Sequence, residues 1–264
     1  MQQWFTDMLG RDMVLGGVPQ RIVSLVPSQT ELLYDLGLQD EVVGITKFCV
    51  HPDSWFRTKT RVGGTKQVHA DKVAALQPDL IIANKEENVK EQIEALEHIA
   101  PVWISDIKQL EDALVMIRSV GRLVGKEDKG DEIATVIAGD FARLKGRRPA
   151  RVAYGIWRKP WMWAGGDTFI SDIIRRNGWG NVLENVPRYP ELSLELLAAY
   201  DPDTILLSSE PYPFKEQHIA EIKAIMPAVQ VLLVDGELFS WYGSRLLHSA
   251  SYLNSLILRP DEPE

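Results

Sequence analysis

Cysteine is almost missing from this chain of 264 residues, which contains Cys49 alone. A single cysteine excludes an internal disulfide and a zinc site built from several thiolates. As a nucleophile it would need a histidine beside it, and His51 is the nearest in sequence. The five histidines show no spacing typical of a metal site, so we expect no direct binding of a bare metal ion.

Positive charge and long apolar runs are also scarce. The formal net charge is -8 at pH 7, whereas nucleic-acid binding needs a concentrated positive surface. No apolar run approaches the roughly 20 residues of a membrane-spanning helix. The first residues lack the basic start and apolar stretch of a secretory signal. We therefore expect no nucleic-acid partner, and either a cytoplasmic protein or one supplied without its leader.

Sequence motifs of common enzyme classes are missing as well. The glycine pairs at 63–64 and 165–166 do not have the spacing of a Walker loop or a dinucleotide fingerprint, and no nucleophile elbow is present. We expect no enzyme. A cleft enzyme with Glu86, Asp167, Glu210 and His51 as its acids and bases is the alternative, together with a cytoplasmic sensor of the same fold.

What the chain does contain is a repeated segment. Residues 71–82 align without gaps on residues 195–206, sharing an Ala-Ala pair, a Pro-Asp pair and an isoleucine. Each copy predicts a short helix stopped by proline and followed by a buried strand. Such a phrase is common in α/β proteins, but it also fits two similar lobes. Each lobe would then present an acid, Asp71 or Glu195, at the same place.

Strand and helix patterns alternate on both sides of one long helical stretch. Strand patterns occur at 21–26, 41–45, 101–104, 151–156 and 229–234, and residues 28–31 resemble a capping box that opens a helix. This alternation predicts an α/β fold with mostly parallel sheets. Between 110 and 145 a helical apolar stripe predicts either a long bridging helix or an ordinary covering helix. We assign an N-terminal lobe to 1–108, a helical linker to 109–148 and a C-terminal lobe to 149–264.

Several ordered motifs resemble the ABC-transporter substrate-binding proteins of the helical-backbone class, which carry cobalamin, haem and ferric siderophores. They are Phe-Thr-Asp-Met-Leu-Gly-Arg at 5–11, Pro-Gln-Arg-Ile-Val-Ser-Leu-Val-Pro-Ser-Gln-Thr-Glu-Leu-Leu at 19–33, Val-Gly-Gly at 62–64, the Leu-Gln-Pro-Asp-Leu-Ile phrase, and Ser-Trp-Tyr-Gly-Ser-Arg at 240–245. The resemblance implies two Rossmann-like lobes joined by a single long helix, with ligand held between them. It also implies that Asp71 and Glu195 dock on arginines of a dimeric permease.

We expect the ligand-binding residues beyond the carboxyl ends of the strands, where loops and helix N-termini converge. In the first lobe this selects Ser28, Gln29, Phe48, Thr65, Lys66, Asn84, Lys85 and Glu86. In the second it selects Trp157, Trp161, Trp163, Tyr189, Glu210 with the nearby Tyr212, Trp241, Tyr242 and Arg245. The tryptophans suit a large planar ligand, although burial in a core is the alternative for each. Arg245 could bind a ligand carboxylate or form a structural salt bridge.

The resemblance favours cobalamin or a related corrinoid, because the Pro-Ser-Gln-Thr-Glu-Leu-Leu phrase is closest to the cobalamin carriers. Thr65 and Asn84 stand where those carriers use tryptophans. Haem remains an option through His69 as the axial residue, with a place at a helix start, like that of Ser193 in the second copy, as the alternative for this histidine. Ferric siderophores remain an option through the basic residues Lys66, Lys85, Arg158, Lys159 and Arg245.

The expected function is therefore capture without chemistry. The ligand is a cobalt or iron chelate, so the protein itself needs no resident cofactor. The expected partners are the ABC permease, through Asp71 and Glu195, and the chelate. We expect a monomer that works in the periplasm or attached to the cell envelope.

Overall fold

A computed structural model of the chain describes residues 2–144, 149–256 and 258. The described residues form two compact units. Unit one lies within Met1–Ile107, Glu111–Ala138 and Trp241–Leu247, and unit two within Lys108–Leu110, Gly139–Ser240 and His248–Glu264. Residues 145–148, at the end of the predicted linker, lie outside the described residues. The same holds for residue 1 and for residues 257 and 259–264, at the two ends of the predicted lobes.

The main sheet of unit one is parallel throughout. The strands of this unit are β1 (Gln3–Thr6), β2 (Asp12–Leu15), β3 (Ile22–Ser24), β4 (Val42–Ile45), β5 (Thr60–Arg61), β6 (Gly63–Gly64), β7 (Gln67–Val68), β8 (Leu80–Asn84) and β9 (Val102–Ser105). The order in the sheet is β5-β4-β3-β8-β9. β3, β8 and β9 are fully buried, as parallel strands covered on both faces should be. Two antiparallel hairpins, β1–β2 and β6–β7, lie beside this sheet.

Unit two is built around a second parallel sheet. Its strands are β10 (Arg151–Trp157), β11 (Met162–Trp163), β12 (Gly180–Asn181), β13 (Thr204–Ser208) and β14 (Gln230–Val234). Their order is β11-β10-β13-β14, with β12 also paired to β10. The β11 strand is antiparallel to β10, and the other pairs are parallel. The fold class, α/β with two Rossmann-like units and mostly parallel sheets, is therefore confirmed.

Helices alternate with these strands along the chain. They are α1 (Pro27–Asp35), α2 (Asp53–Thr58), α3 (Ala70–Ala75), α4 (Lys90–Leu96), α5 (Leu110–Leu123), α6 (Glu127–Ala142), α7 (Phe169–Arg176), α8 (Leu194–Ala198), α9 (Glu216–Ile225), α10 (Glu237–Ser240) and α11 (Leu246–Ser255). Within the part of the chain that the structure describes, none combines the length and apolarity needed to cross a bilayer.

The repeated segment folds in the same way in both units: α3 leads into β8, and α8 leads into β13. After each helix one residue, Gln77 or Asp201, has a positive φ, 47° or 49°. An arginine at the start of the neighbouring strand binds each turn. The Nε of Arg21 donates to the carbonyl oxygen of Leu76 at 2.8 Å, and the Nε of Arg151 donates to that of Asp201 at 2.8 Å. These arginines satisfy carbonyl groups that a helix end leaves without intrahelical partners.

The Pro-Asp pair of each copy has a matching role. A side-chain oxygen of Asp79 accepts the backbone N–H of Arg21 at 2.9 Å, and one of Asp203 accepts that of Arg151 at 2.8 Å. Each aspartate therefore joins the strand that follows it to the adjacent strand of its sheet. This shared bonding favours a structural repeat over a chance phrase.

The first helix begins earlier than the predicted capping box. Pro27 occupies the first turn of α1, and Val26 is the N-cap. Proline is favoured at this position because its missing N–H would have no partner there. Ser28 consequently lies inside the helix and does not cap it, and Glu31 pairs instead with Arg245. The capping-box prediction is therefore wrong.

The predicted linker region is helical, but two helices occupy it in place of one continuous helix. The chain turns between α5 and α6 at Gly125, whose φ of 68° suits glycine. Glu111–Ala138 groups with unit one, and α6 crosses into unit two at Gly139. Lys108–Leu110 groups with unit two, where Asp172 accepts the backbone N–H of Leu110 at 2.9 Å.

Candidate functional site

The carboxyl edge of the unit-one sheet gathers the predicted polar residues. The side-chain oxygen of Asn84, the last residue of β8, accepts the backbone N–H groups of Glu86 and Glu87 at 2.8 and 3.0 Å. Asn88 donates its side-chain amide to the carbonyl oxygen of Thr65 at 3.0 Å. The loop after β8 and the β6–β7 hairpin are therefore tied together by side-chain amides.

Asn84 itself is buried within this edge. Its amide donates to the hydroxyl oxygen of Ser105 at 2.9 Å, and the amide of Gln29 donates to the same oxygen. Asn84 and Gln29 consequently organise the loops, and their contact with ligand stays a prediction. Two atoms nearby in the chain, the hydroxyl of Ser28 and the side-chain oxygen of Gln29, are buried and have no hydrogen-bond partner within the described residues.

The exposed members of this edge are one aromatic ring and several charged groups. Phe48 follows β4, is 50% exposed and lies over Gly64, with the ammonium of Lys47 5.0 Å from its ring centroid. Lys66 donates to the carbonyl oxygen of Glu86 at 2.6 Å, and Lys85 pairs with Asp106 at 2.5 Å. Both lysine ammonium groups are thus held along the same edge, and the charge of Lys85 is already paired with the carboxylate of Asp106.

The segment 241–247 belongs to unit one, although the sequence placed it in the second lobe. The reason is a set of contacts with α1 and its neighbours. Arg245 forms a two-pronged ion pair with Glu31, with N···O distances of 2.9 and 2.5 Å. Trp241 packs edge-on against His51 at 5.5 Å between ring centroids, and the hydroxyl of Tyr242 lies 3.5 Å from Glu87.

The sequence allowed Arg245 either to bind a ligand carboxylate or to form a structural salt bridge, and the structure shows a salt bridge with Glu31. Its guanidinium is committed to a structural salt bridge and also stacks on Trp241 at 5.2 Å. Burial of Glu31 raises the pKa of its carboxyl, and the hydrogen bonds to Arg245 oppose that shift. A direct role for Arg245 as a clamp for a ligand anion is therefore not supported.

Aromatic rings dominate the predicted site residues of unit two. Trp161 stacks on Trp163 and on Phe214, with ring centroids 5.6 Å apart and ring planes inclined by 12° in each case. Tyr212 joins this stack through Phe214 at 4.8 Å, and Trp157 packs edge-on against Tyr212 at 5.5 Å. We call these five residues the aromatic ladder. Trp157 is the last residue of β10, Trp163 lies in β11 beside that strand, and Tyr212 and Phe214 follow β13.

Exposure divides the ladder into a face and a backing. Trp157 is 39% exposed and Tyr212 is partly buried, whereas Trp163 has no exposed surface. The indole N–H of Trp163 donates to the carbonyl oxygen of Leu192 at 3.0 Å. Trp163 is therefore fully buried in the core of unit two, and its contact with ligand stays a prediction. Trp161, which is nearly buried between its two stacking partners, supports the ladder in the same way.

The other predicted residues of unit two lie beside the ladder. Tyr189 is partly buried, and the guanidinium of Arg188 lies 5.7 Å from the centroid of its ring. Glu210 accepts a hydrogen bond from the hydroxyl of Ser240 at 2.8 Å. The sequence analysis did not predict a role for Phe214. The Pro-Tyr-Pro-Phe segment at 211–214, in the loop after β13, was the feature that could have indicated it.

The two predicted docking acids occupy equivalent positions. Asp71 lies in the first turn of α3, and Glu195 lies in the first turn of α8, where Ser193 is the N-cap. Both side chains belong to exposed residues. Hydrogen bonds from its own backbone N–H and from Ser193 lower the pKa of Glu195, so its carboxylate stays ionised well below neutral pH. His69, the counterpart of Ser193, is the N-cap of α3 without a side-chain bond among the described residues.

Cys49 does not have the surroundings of a nucleophile. Its thiol is buried and contacts the hydroxyls of Thr30 and Thr46 at 3.1 and 3.2 Å. Burial raises the pKa of the Cys49 thiol, which disfavours the reactive thiolate. Among the described residues, no three His, Cys, Asp or Glu side chains converge as a metal site would require.

Comparison with known proteins supports a binding role. A family model described as periplasmic binding protein matches residues 22–231. The vitamin B12-binding protein of Pectobacterium carotovorum is 26% identical over 249 residues, covering 90% of this chain and 88% of that protein. An uncharacterized ABC transporter substrate-binding lipoprotein of Bacillus subtilis is 25% identical over 263 residues, covering 94% of this chain and 82% of that protein.

The fold agrees with solved structures as well. The crystal structure of the petrobactin-binding protein of Bacillus subtilis superposes with a TM-score of 0.80 at 20% identity, covering 96% of this chain and 98% of that one. The family recognised from the ordered motifs is confirmed, and the relatives are binding proteins rather than enzymes. The match of the family model along most of its length shows that this chain belongs to the periplasmic binding protein family.

Proposed function

We propose that this chain is the substrate-binding component of an ABC importer and that it carries a metal chelate, with cobalamin or another corrinoid favoured. One observation carries the proposal: the chain matches a vitamin B12-binding protein along 90% of its length. The similarity to an ABC transporter substrate-binding lipoprotein supports the importer and a place at the cell envelope. Ferric siderophores and haem are the other members of the ligand class.

The aromatic ladder supports a ligand with a broad apolar surface. Trp157 and Tyr212 present ring area, and the stacked Trp161, Trp163 and Phe214 hold it in place. Aromatic side chains have few rotamers to lose, so a rigid stack binds a rigid macrocycle at a low entropic cost.

Unit one supplies polar groups of the kind that orient such a ligand. Ser28 follows β3 with an unpartnered hydroxyl within the described residues, and Phe48 adds an exposed ring. The ammonium group of Lys66 would favour a ligand with carboxylate, phosphate or hydroxamate oxygens, whereas that of Lys85 is already paired with Asp106. Because the chelate carries its own metal, the protein needs no resident cofactor.

We infer that Asp71 and Glu195 guide the loaded monomer onto the permease. Their equivalent positions in the repeated segment place an exposed carboxylate in the first turn of the matching helix of each unit. Complementary charges of this kind raise the association rate and set the register of a complex. The low pKa of Glu195 keeps its charge in place over a wide pH range. The alternative is that these two acids only stabilise their helices by interacting with the helix dipole.

Titration of the purified protein tests the ligand. Cyanocobalamin, dicyanocobinamide, hemin and ferric siderophores of the hydroxamate and catecholate types would be added in turn, with absorbance and calorimetry as readouts. We expect saturable binding of one cyanocobalamin per chain, without chemical change of the recovered ligand. Saturation by hemin or a siderophore alone would reassign the ligand, and binding of none of these probes would contradict the proposal.

A further inference from the structure

We propose that Tyr212 donates a hydrogen bond to an oxygen atom of the ligand and that His218 is the positioning residue that aims its hydroxyl. The inference deepens the proposed function and rests on it. The ligand atom would be a carbonyl or carboxylate oxygen, such as the side-chain amides and acids at the periphery of a tetrapyrrole-like macrocycle provide. The argument begins with the proton on His218.

His218 lies in the first turn of α9 and is 3% exposed. The backbone N–H of Lys215 donates to its Nδ1 at 2.9 Å. A backbone N–H can only donate, so Nδ1 must offer its lone pair and carry no proton. The carbonyl oxygen of Lys215 is 3.2 Å from the same nitrogen, but it could bond there only if Nδ1 were protonated. The ring proton therefore resides on Nε2.

The Nε2 atom faces the hydroxyl of Tyr212 at 3.2 Å. With the ring proton on Nε2, the imidazole donates and the phenol oxygen accepts. A tyrosine hydroxyl has one proton and two acceptor positions, so accepting from His218 leaves its own O–H available to donate. Within the described part of the chain, the hydroxyl of Tyr212 forms its hydrogen bond with His218.

The ring of Tyr212 is held on several sides. The ring centroids of Trp157 and His218 lie 5.5 and 5.4 Å from that of Tyr212, and both rings pack edge-on against it. The ring of Phe214 is tilted against Tyr212, with the centroids 4.8 Å apart. These contacts restrict the ring, and the hydrogen bond from Nε2 restricts the hydroxyl. The donor is therefore oriented before a ligand arrives, so binding loses little side-chain entropy. Because Tyr212 is partly exposed and its ring contacts the exposed Trp157, the donor borders the apolar surface of the aromatic ladder.

Matched substitutions separate positioning from structural support. Tyr212→Phe removes only the hydroxyl. His218→Asn keeps a short acceptor for the N–H of Lys215 but cannot reach Tyr212. His218→Gln places an amide N–H near the former Nε2 and so preserves the donor to Tyr212. Gln217→Ala is the control, since its amide lies 3.4 Å from Nε2 without a role in the inference.

The measurement is the affinity for cyanocobalamin, with thermal melts to confirm that each variant is folded. We expect Tyr212→Phe and His218→Asn each to weaken binding about 2- to 10-fold, the range of one hydrogen bond. His218→Gln and Gln217→Ala should stay close to wild type. The Tyr212→Phe/His218→Asn double variant should bind no more weakly than Tyr212→Phe alone, because His218 acts through the hydroxyl.

Two kinds of result overturn the inference. One is a Tyr212→Phe variant with wild-type affinity, or a double variant whose loss is the product of the single losses. The other is independent of ligand: nitrogen NMR of the imidazole should show Nε2 protonated and Nδ1 unprotonated, and the reverse tautomer removes the donor to Tyr212. A wild-type protein that binds none of the chelate probes, yet shows the expected tautomer, overturns the proposed function and the ligand half of this inference together.

Discussion

Replacing Trp163 by alanine should lower stability far more than ligand affinity. The side chain has no exposed surface, stacks on Trp161, and donates its indole N–H to the carbonyl oxygen of Leu192 at 3.0 Å. Truncation of a buried tryptophan removes its transfer free energy and leaves a cavity, at a cost of about 3–5 kcal/mol. The carbonyl of Leu192 also loses its partner.

Thermal unfolding followed by circular dichroism measures this cost. For a protein of this size each 1 kcal/mol shifts the melting temperature by about 2–4 °C, so the expected drop is roughly 6–20 °C. Trp157→Ala is the matched control, because it removes a ring of the same type that is 39% exposed. Its melting temperature should change little, whereas its affinity for cyanocobalamin should fall about 2- to 10-fold through the lost aromatic contact.

The opposite pattern would refute this division into face and backing. If Trp163→Ala melted within about 2 °C of wild type and bound ligand poorly, the side chain would be a contact residue. If Trp157→Ala bound ligand normally, the exposed end of the aromatic ladder would not touch it.

Reversing the charges of both Asp71 and Glu195 should abolish uptake in a reconstituted transport assay while ligand affinity stays within a few-fold, since both acids lie in exposed first turns. Ser193→Ala should raise the pKa of Glu195 toward its ordinary value, because it removes one of the hydrogen bonds that favour the carboxylate; carbon NMR titration measures the shift. Arg21→Ala and Arg151→Ala should each destabilise the protein by about 1 kcal/mol in denaturant titrations, because each arginine binds the carbonyl groups of an equivalent turn.

Each of these expectations has a result that contradicts it. Lost ligand affinity in the charge-reversed protein would move the acids into the binding site. An unchanged pKa of Glu195 in Ser193→Ala would assign its shift to the backbone alone. A clear destabilisation by only one arginine substitution would mean that the two turns are not energetically equivalent.

Much of the architecture could be inferred from local patterns. Two parallel-sheet units were predicted from the Pro-Asp repeat, the short apolar strands and their alternation with helices. The repeat could be recognised in the sequence because both copies form the same turn, at Gln77 and at Asp201. A strand whose two faces are covered is apolar along most of its length, so a short apolar run in the sequence predicts a buried strand. The helix start was misread because Pro27 takes the N1 position and displaces Ser28 from the cap.

The roles of particular side chains required the folded structure. The sequence could place tryptophans after a strand, but it could not show that Trp163 faces the core while Trp157 faces solvent. It offered two partners for Arg245, and only packing of residues 241–247 within unit one brings that guanidinium to Glu31.

The sequence by itself determined the family and the fold class, because those depend on local periodicity and on the order of motifs along one chain. Only the tertiary structure decided which rings are exposed, which charges are already paired and which groups face the two ring nitrogens of His218. Those properties depend on contacts between residues that are distant in sequence or on hydrogen-bond geometry, and neither leaves a periodic signal in the chain.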